Sequence, residues 1–511
     1  MSVPLFDTPL PERPEVPEPR ADGWDAALEP ALVAAPGLEA IVARLRAPGA
    51  LVVTTGQQAG LFTGPAYTVS KALSARALAL ALERRWRRPV VPVFWVPADD
   101  HDFDEVASVA WLGADGGLVT ASLPRRAPDA PLTPLGREPL GDGVLAALDA
   151  FERSFPDAGT SGETVAWLRR HYRPDRAVAA AFAGAMAELL APWGVACLDG
   201  SHPAAKRKAA PLMLHALQRA PELDRALSER AEALAGAGKD AGVPVGDRAS
   251  LVFLDGSLGR DRLVADGDGF IARRARTAVS LAELERIAAV TPDRLSGNVL
   301  LRPVLESALL PTVAYVAGPG ELRYLELAVP VYERLAVPRQ RPVPRWSGLF
   351  VEPRVTRVLA KYGASLEALL DDNAAAELEA RIARDALPDG AEAAFAALRQ
   401  AIERHYEPVV RAVAGVDSTL ERPAAAARGQ ALHAAQELEK KLLQHARKRS
   451  ATELAQIARV RLSVRPEGKP QERVLSMAGF LARYGTGLLG ELADHIAAWY
   501  ARALEATPPT A

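Results

Sequence analysis

Thr54–Lys71 reads TTGQQAGLFTGPAYTVSK. The β-branched run LVVTT leads into it, three glycines and two glutamines form its loop, and a long Ala/Leu-rich helical pattern leaves it. Strand, glycine-rich loop, helix is the order in which an α/β protein builds an anion or nucleotide site, because the loop and first helical turn present unpaired backbone N–H groups. The next apolar run, VVPVFWV, enters PADDHDFDE, Pro97–Glu105. Two polar loops therefore follow two consecutive predicted parallel strands, and neighbouring strands would open both loops onto one carboxyl edge, where open α/β sheets bind ligands. A third loop follows LPTVAYV: Gly318, Pro319, Gly320 and Glu321 precede an amphipathic helical pattern and are expected at the same cleft.

In the first loop, Gly56, Gly60 and Gly64 let backbone approach phosphate oxygens, Gln57 and Gln58 offer amide groups to a polar substrate, and Tyr67 lies at the helix start. Lys71 adds a positive charge if it points back, although a lysine there is ordinarily solvated. In the second loop, Asp99, Asp100, Asp102, Asp104 and Glu105 surround His101 within seven residues. Such a cluster suits a cationic amine, a proton transfer or a divalent ion. The carboxylates are expected to hold His101 in its charged form, so amine recognition falls to them, and His101 is left as acid/base or substrate contact; Asp100, His101 and Asp102 are the catalytic candidates. Asn298 and Arg302, four apart, share a face if one helix carries both, where the arginine can clamp an anion in bidentate fashion; Pro303 would instead start the helix there.

At 511 residues the chain exceeds one core, which predicts two or three domains. Hydrophobic content of 49% with 24% charged residues is that of a folded globular chain, and a net charge of −2 gives no reason to expect nucleic acid or an anionic membrane as partner. A single cysteine, Cys197, excludes an internal disulfide and a cysteine-rich zinc site. It lies in the strand pattern GVACLDG, as a structural thiol. The N-terminus lacks a basic segment before an apolar core, and PLPERPEVPEPR (9–20) reads as an extended surface strap. No apolar run reaches the roughly 18 residues needed to span a bilayer; the cytoplasm is the expected compartment.

The alternating pattern predicts a Rossmann-like α/β core over residues 1–372, with connector insertions at about 113–162 and about 242–275. The second reads as β-hairpins, from its DG and GD turns. A helical arm over 373–470 and a C-terminal helical segment over 471–511, packed on the core, complete the chain. Within the arm Ala431, Ala435, Leu438 and Leu442 make a short coiled-coil seam, open to a helical hairpin or a homodimer contact.

TGQQAGLFTGPAYT, DDHDFDE, NVLLRPVLESALLPTVAYVAGPGE (298–321) and PQERVLSMAGFLARYG (470–485) together resemble the cysteine-adding enzymes of bacillithiol synthesis. The resemblance implies a nucleotidyltransferase-like Rossmann core and a coiled-coil dimerisation arm, hence a homodimer. It also implies addition of L-cysteine to the amine of glucosaminyl malate, with the malate suiting Arg302 and the sugar amine the acidic loop. Joining a carboxylate to an amine requires activation, so ATP with Mg2+ is expected, with no tightly bound cofactor and no dedicated metal site. Two departures stand out. None of the eight histidines forms the H-x-G-H signature of class I aminoacyl-tRNA synthetases, and Ser70 replaces the larger His or Tyr common in the family. Two other readings remain: a metal-dependent hydrolase or nucleotidyltransferase using DDHDFDE, and a dimeric ligand-binding scaffold.

Overall fold

Three apolar runs, Leu51–Gly56 (β1), Val90–Val96 (β2) and Thr312–Ala317 (β4), are buried at every residue, as strands covered on both faces must be. With Ala196–Asp199 (β3) and Arg341–Pro344 (β5) they form one parallel sheet in the order β5-β4-β1-β2-β3. This is the Rossmann order, which reverses direction between β1 and β4. Pro342 and Pro344 fall on the β5 edge, where a missing N–H is tolerated.

The computed structural model describes residues 3–8, 14–156 and 158–505. Residues 9–13 of the expected strap lie outside these. Residues 14–20 have no regular structure, and Pro14 and Pro17 are buried. The chain divides into one compact unit of Met1–Phe350 with Lys469–Ala511 and another of Val351–Gly468. Residues 351–372, assigned to the core on sequence, thus group with the helical arm.

In the first unit, helix α1 (Tyr67–Trp86) covers β1 and β2 and in turn carries the C-terminal helix Gly487–Glu505. The connector after β2 forms the hairpin Ser108–Leu112/Leu118–Ser122 and the helices Gly143–Arg153 and Ala158–His171. Helix α2 (Pro203–Gln218) follows β3. The second insertion is a five-stranded antiparallel sheet, larger than expected: Ala249–Gly256, Gly259–Asp266, Gly269–Ala272 and Thr277–Ser280 are joined at one edge by Leu295–Gly297.

The second unit is all helical. Ala391–Val416 and Glu421–Arg449 form a hairpin, tied by an ion pair between Arg399 and Glu439. Ala435 and Ala446 are buried and Leu442 is half-buried, so the inward face steps through 435, 439, 442 and 446. Leu438 lies off that face, 57% exposed, which corrects the four-residue seam: a two-helix hairpin uses only one stripe of each helix. No helix among the described residues is long and apolar enough to cross a membrane.

Candidate active site at the switch point

β1 ends at Gly56, where a Cβ would stand 2.7 Å from the Trp95 carbonyl oxygen of β2. Phe62, Thr63 and Gly64 then take left-handed backbone conformations in succession, with φ of 49°, 69° and 68°. For a β-branched threonine that geometry costs of order 1–3 kcal/mol. It is held by the Thr63 N–H donating to the Tyr172 hydroxyl at 2.7 Å and by Phe62 packing edge-on against Phe151 and Tyr172. Gly60 closes the turn, since a Cβ there would lie 2.7 Å from Gly64 Cα.

These features remove Gly60 and Gly64 from the site. Their N–H groups are spent on Gln58 O and Leu61 O at 2.8 and 2.9 Å. The start of α1 is closed as well: Ala66 N–H donates to Leu475 O at 2.7 Å. The expected phosphate cradle at this helix end is therefore not formed.

Lys71, a candidate binding residue that a helix surface would ordinarily leave solvated, is fully buried. Its ammonium reaches back to Gly56 O at 2.6 Å and to the Glu321 carboxylate. Glu321 sits in the first turn of helix α4 (Pro319–Leu327) and also accepts from Gly318 N–H and the Tyr315 hydroxyl, both at 2.7 Å. Burial drives the Lys71 pKa down to about 8, opposed by Glu321. Burial alone would raise the Glu321 carboxyl, but the Lys71 ammonium holds it below its usual value.

Arg302 begins helix α3 (Arg302–Leu309), with Pro303 in its first turn, so Asn298 is not helical. Asn298 instead accepts from the backbone N–H groups of Leu300 and Leu301 at 3.0 and 2.9 Å. Arg302 is bound to buried Glu306 at 2.9 Å and donates to the Tyr315 hydroxyl at 3.2 Å. Its charge is already matched, which disfavours the expected role as a free anion clamp.

The acidic loop splits into two halves. Asp99 lies 2.7 Å from the Lys206 ammonium of α2. Asp100 accepts from Gln58 and, at 3.3 Å, from Arg260 of the insertion sheet. Burial would raise the Asp100 carboxyl, yet the Arg260 guanidinium and the Gln58 amide keep it low. Asp102 and Asp104 are exposed, and Asp102 caps the short helix Phe103–Val106 through Glu105 N–H at 3.2 Å. A cap whose carboxylate must face its own helix cannot also face the cleft, so Asp102 loses its catalytic assignment. His101 is corrected too: burial first, then Arg260, push its pKa below 6.5, and the ring is neutral. Arg260 only donates, and it lies 3.1 Å from His101 Nδ1. That nitrogen accepts, and the proton resides on Nε2.

A cavity of about 590 Å³ gathers Gly56, Gln57, Gln58, Tyr67, Lys71, Asp99, Asp100, His101, Asn298, Arg302, Gly318, Gly320 and Glu321; Gly60, Gly64, Asp102 and Asp104 do not line it. It also brings in Lys206, Arg260, Arg262, Arg345 and Arg473, none of which the sequence singled out. Arg345 forms a bidentate pair with Glu472 at 2.8 and 2.6 Å. Glu472 and Arg473 at least lie within the quoted PQERVLSMAGF stretch. Arg260 and Lys206 are brought in by insertion and crossover and carry no local signal. Lys71–Glu321, Lys206–Asp99, Arg260–Asp100, Arg302–Glu306 and Arg345–Glu472 are thus five matched pairs. Arg262 and Arg473 have no carboxylate at ion-pair distance among the described residues, so the cavity keeps two uncommitted positive charges. No three His, Cys, Asp or Glu side chains among the described residues converge as metal ligands.

The family model for the N-terminal Rossmann-like domain of the bacillithiol biosynthesis protein BshC matches residues 32–345, and that for its C-terminal coiled-coil domain matches 348–499. The chain belongs to the BshC family. Similar BshC proteins include one from Symbiobacterium thermophilum, 34% identical over 88% of this chain and 82% of its own length. Others are from Chlorobaculum tepidum, 30% identical over 88% and 82%, and Koribacter versatilis, 32% identical over 91% and 85%. Each bears the name "Putative cysteine ligase BshC".

Three outcomes follow for this BshC family site. Gly60→Ala forces a Cβ onto the Gly64 backbone and should lower the thermal midpoint, whereas Gly320→Ala, with open space around it, should leave it unchanged. Lys71→Met strands Glu321 and should cost about 3 kcal/mol in chemical denaturation, with a substantial part regained in Lys71→Met/Glu321→Gln. The folded Lys71 loses its proton near pH 8 and the unfolded one near 10.5. The unfolded state therefore binds more protons between those values, and wild-type stability should rise with pH there by a slope that Lys71→Met lacks.

Proposed function

We propose that the protein is a cysteine ligase that forms an amide between the carboxyl of L-cysteine and the amine of glucosaminyl malate, with ATP and Mg2+ as the activating co-substrate. The observation that carries this reading is the cavity at the sheet reversal, where ionised Asp100, the Gln58 amide and neutral His101 stand together beside two unmatched arginines. The names borne by the relatives support it. ATP supplies a phosphorus group that turns a carboxylate oxygen into a leaving group. The unmatched Arg262 and Arg473 are the parts of the cavity that fit an anion.

The chain's own groups divide the work. Asp100, held ionised by Arg260, accepts an N–H of the sugar amine and fixes its nitrogen, which attacks as the neutral amine and loses a further proton to solvent as the amide forms. Gln58 Oε1, buried with no partner among the described residues, is a second acceptor for the same N–H groups. His101 presents Nε2–H, a donor suited to the oxygen that gains charge when the amine adds to the activated carbonyl. The expected imidazolium gives way to a neutral ring with one donor, because Arg260 faces the other nitrogen. The malate end, with two carboxylates, suits Arg473, not the committed Arg302. A hydrolase built on DDHDFDE lacks its ligand set: Asp99 and Asp100 are bound to cations, while Asp102 and Asp104 face away. The cytoplasm is the compartment proposed for this reaction of small-molecule substrates.

The arm is proposed to join two copies. Leu398, Val409, Val416, Leu420 and Leu438 are the exposed large apolar side chains of the helical unit, 42–84% accessible.

The deciding experiment incubates purified protein with glucosaminyl malate, L-cysteine and magnesium ATP and follows thiol product and nucleotide by mass spectrometry. Bacillithiol with AMP indicates an adenylate and with ADP an acyl phosphate; absence of product from folded protein rejects the ligase. Asp100→Asn should lower turnover at least tenfold, about 1.4 kcal/mol of transition-state stabilisation, while Asp102→Asn stays near wild type. Leu438→Glu should lower the mass seen by light scattering without loss of helicity, and an unchanged mass rejects the dimer.

A further inference from the structure

The cavity is not uniformly polar. Away from the acidic loop it runs between α2, the helix Ala220–Gly236, the segment 243–246 and α3, where Met213, Leu227, Val243, Val245, Leu251 and Leu309 wall it. Four of these belong to the main core, and Val243 and Val245 pack against it half-buried. Asp224 secures the segment by accepting backbone N–H groups of Gly246 and Arg248. Arg262 lines the same cavity, directly opposite Phe253 in the insertion sheet and 5.5 Å from its ring. Arg260, two residues earlier, spends its guanidinium on Ser296, Gly297 O, Asp100 and His101. Arg262 makes no such contact among the described residues.

We propose that this apolar lobe is the seat of the purine base of the nucleoside triphosphate, with Arg262 against its phosphates. The inference rests on the ligase reading, which requires that co-substrate. Among the reactants, cysteine is small, and the sugar and its malate expose hydroxyl and carboxylate groups on every side. Only a purine offers two broad apolar faces. An apolar wall continuous with a charged site, and bordered by one unmatched cation, has the composition of a base-and-phosphate subsite. It also leaves Arg473, near Tyr67 at the other end, for the dicarboxylate.

The chain has four methionines, so 13C-methyl methionine labelling of the whole protein gives a short NMR spectrum in which Met213→Leu identifies the Met213 signal. Magnesium ATP should move that signal by a saturable ring-current shift. Inorganic tripolyphosphate, L-cysteine and glucosaminyl malate should not. Val245→Trp should weaken ATP binding at least tenfold by calorimetry and leave tripolyphosphate binding unchanged. A Met213 signal that is silent at saturating ATP, or that answers to glucosaminyl malate instead, overturns the proposal. If bacillithiol is made while Met213 stays silent, the base site is wrong and the ligase reading stands. If Met213 responds to ATP but no thiol forms, the base site stands and the ligase reading falls.

Discussion

The ion pair between Lys71 and Glu321 spans the point where the sheet reverses direction, and the geometry of the cavity depends on it. Lys71 leaves α1 and is tied to the end of β1 through Gly56 O. Glu321 leaves α4 and is tied to the end of β4 through Gly318 N–H. The two loops that must diverge to open a crevice are thereby fixed at a set separation. Taking both charges out of water is expensive unless remaining donors and acceptors are satisfied, and here Tyr315 and two backbone groups supply those bonds. The pair is therefore better understood as a spacer with a defined register than as a source of stability.

The same logic repeats around the cavity. Lys206, Arg260 and Arg345 each pair with a carboxylate distant in sequence and so tie the Rossmann sheet to the crossover helix, the insertion sheet and the C-terminal stretch; Arg302 and Glu306 pair within α3 and bond to Tyr315 of β4 and Thr54 of β1. Fixed charges of this kind reorganise little when a ligand arrives, which is what electrostatic preorganisation demands. The consequence is that the committed ions shape the site, and the uncommitted ones, Arg262 and Arg473, are left to meet anions.

Sequence made the sheet legible because LVVTT, VVPVFWV and LPTVAYV are continuous apolar runs bounded by glycine and proline, and the insertion legible because DG turns recur between short β-rich runs. It placed three loops at one edge for the same reason. It misjudged individual side chains wherever direction depends on a remote partner. Asp100 and Asp102 differ by two positions and are indistinguishable in sequence; Arg260, from the insertion, draws one inward, and a local helix cap turns the other outward. Lys71 looked like an ordinary helix lysine because its acid lies 250 residues away. Leu438 looked like a seam residue because heptad spacing does not say which stripe of a hairpin helix meets its neighbour.

The glycine-rich loop shows why a motif alone does not assign a phosphate site. A helix start attracts anions only while its N–H groups are free, and at α1 the Ala66 N–H is taken by Leu475 O, with neighbouring Ser476 Oγ donating to Phe62 O at 3.2 Å. That segment is brought in by Arg345–Glu472 and by Gln471, whose side chain exchanges hydrogen bonds with the Phe350 backbone at 2.8 and 3.0 Å. With that helix end closed, and with the Glu321 carboxylate already on the Gly318 N–H at the start of α4, the positive charge left for an anion is that of Arg262 and Arg473. The absence of the synthetase histidine signature follows the same division: with the α1 loop committed to structure through Tyr172, Thr63 and Leu475, the polar chemistry passes to Gln58, Asp100, His101 and the arginines that surround them.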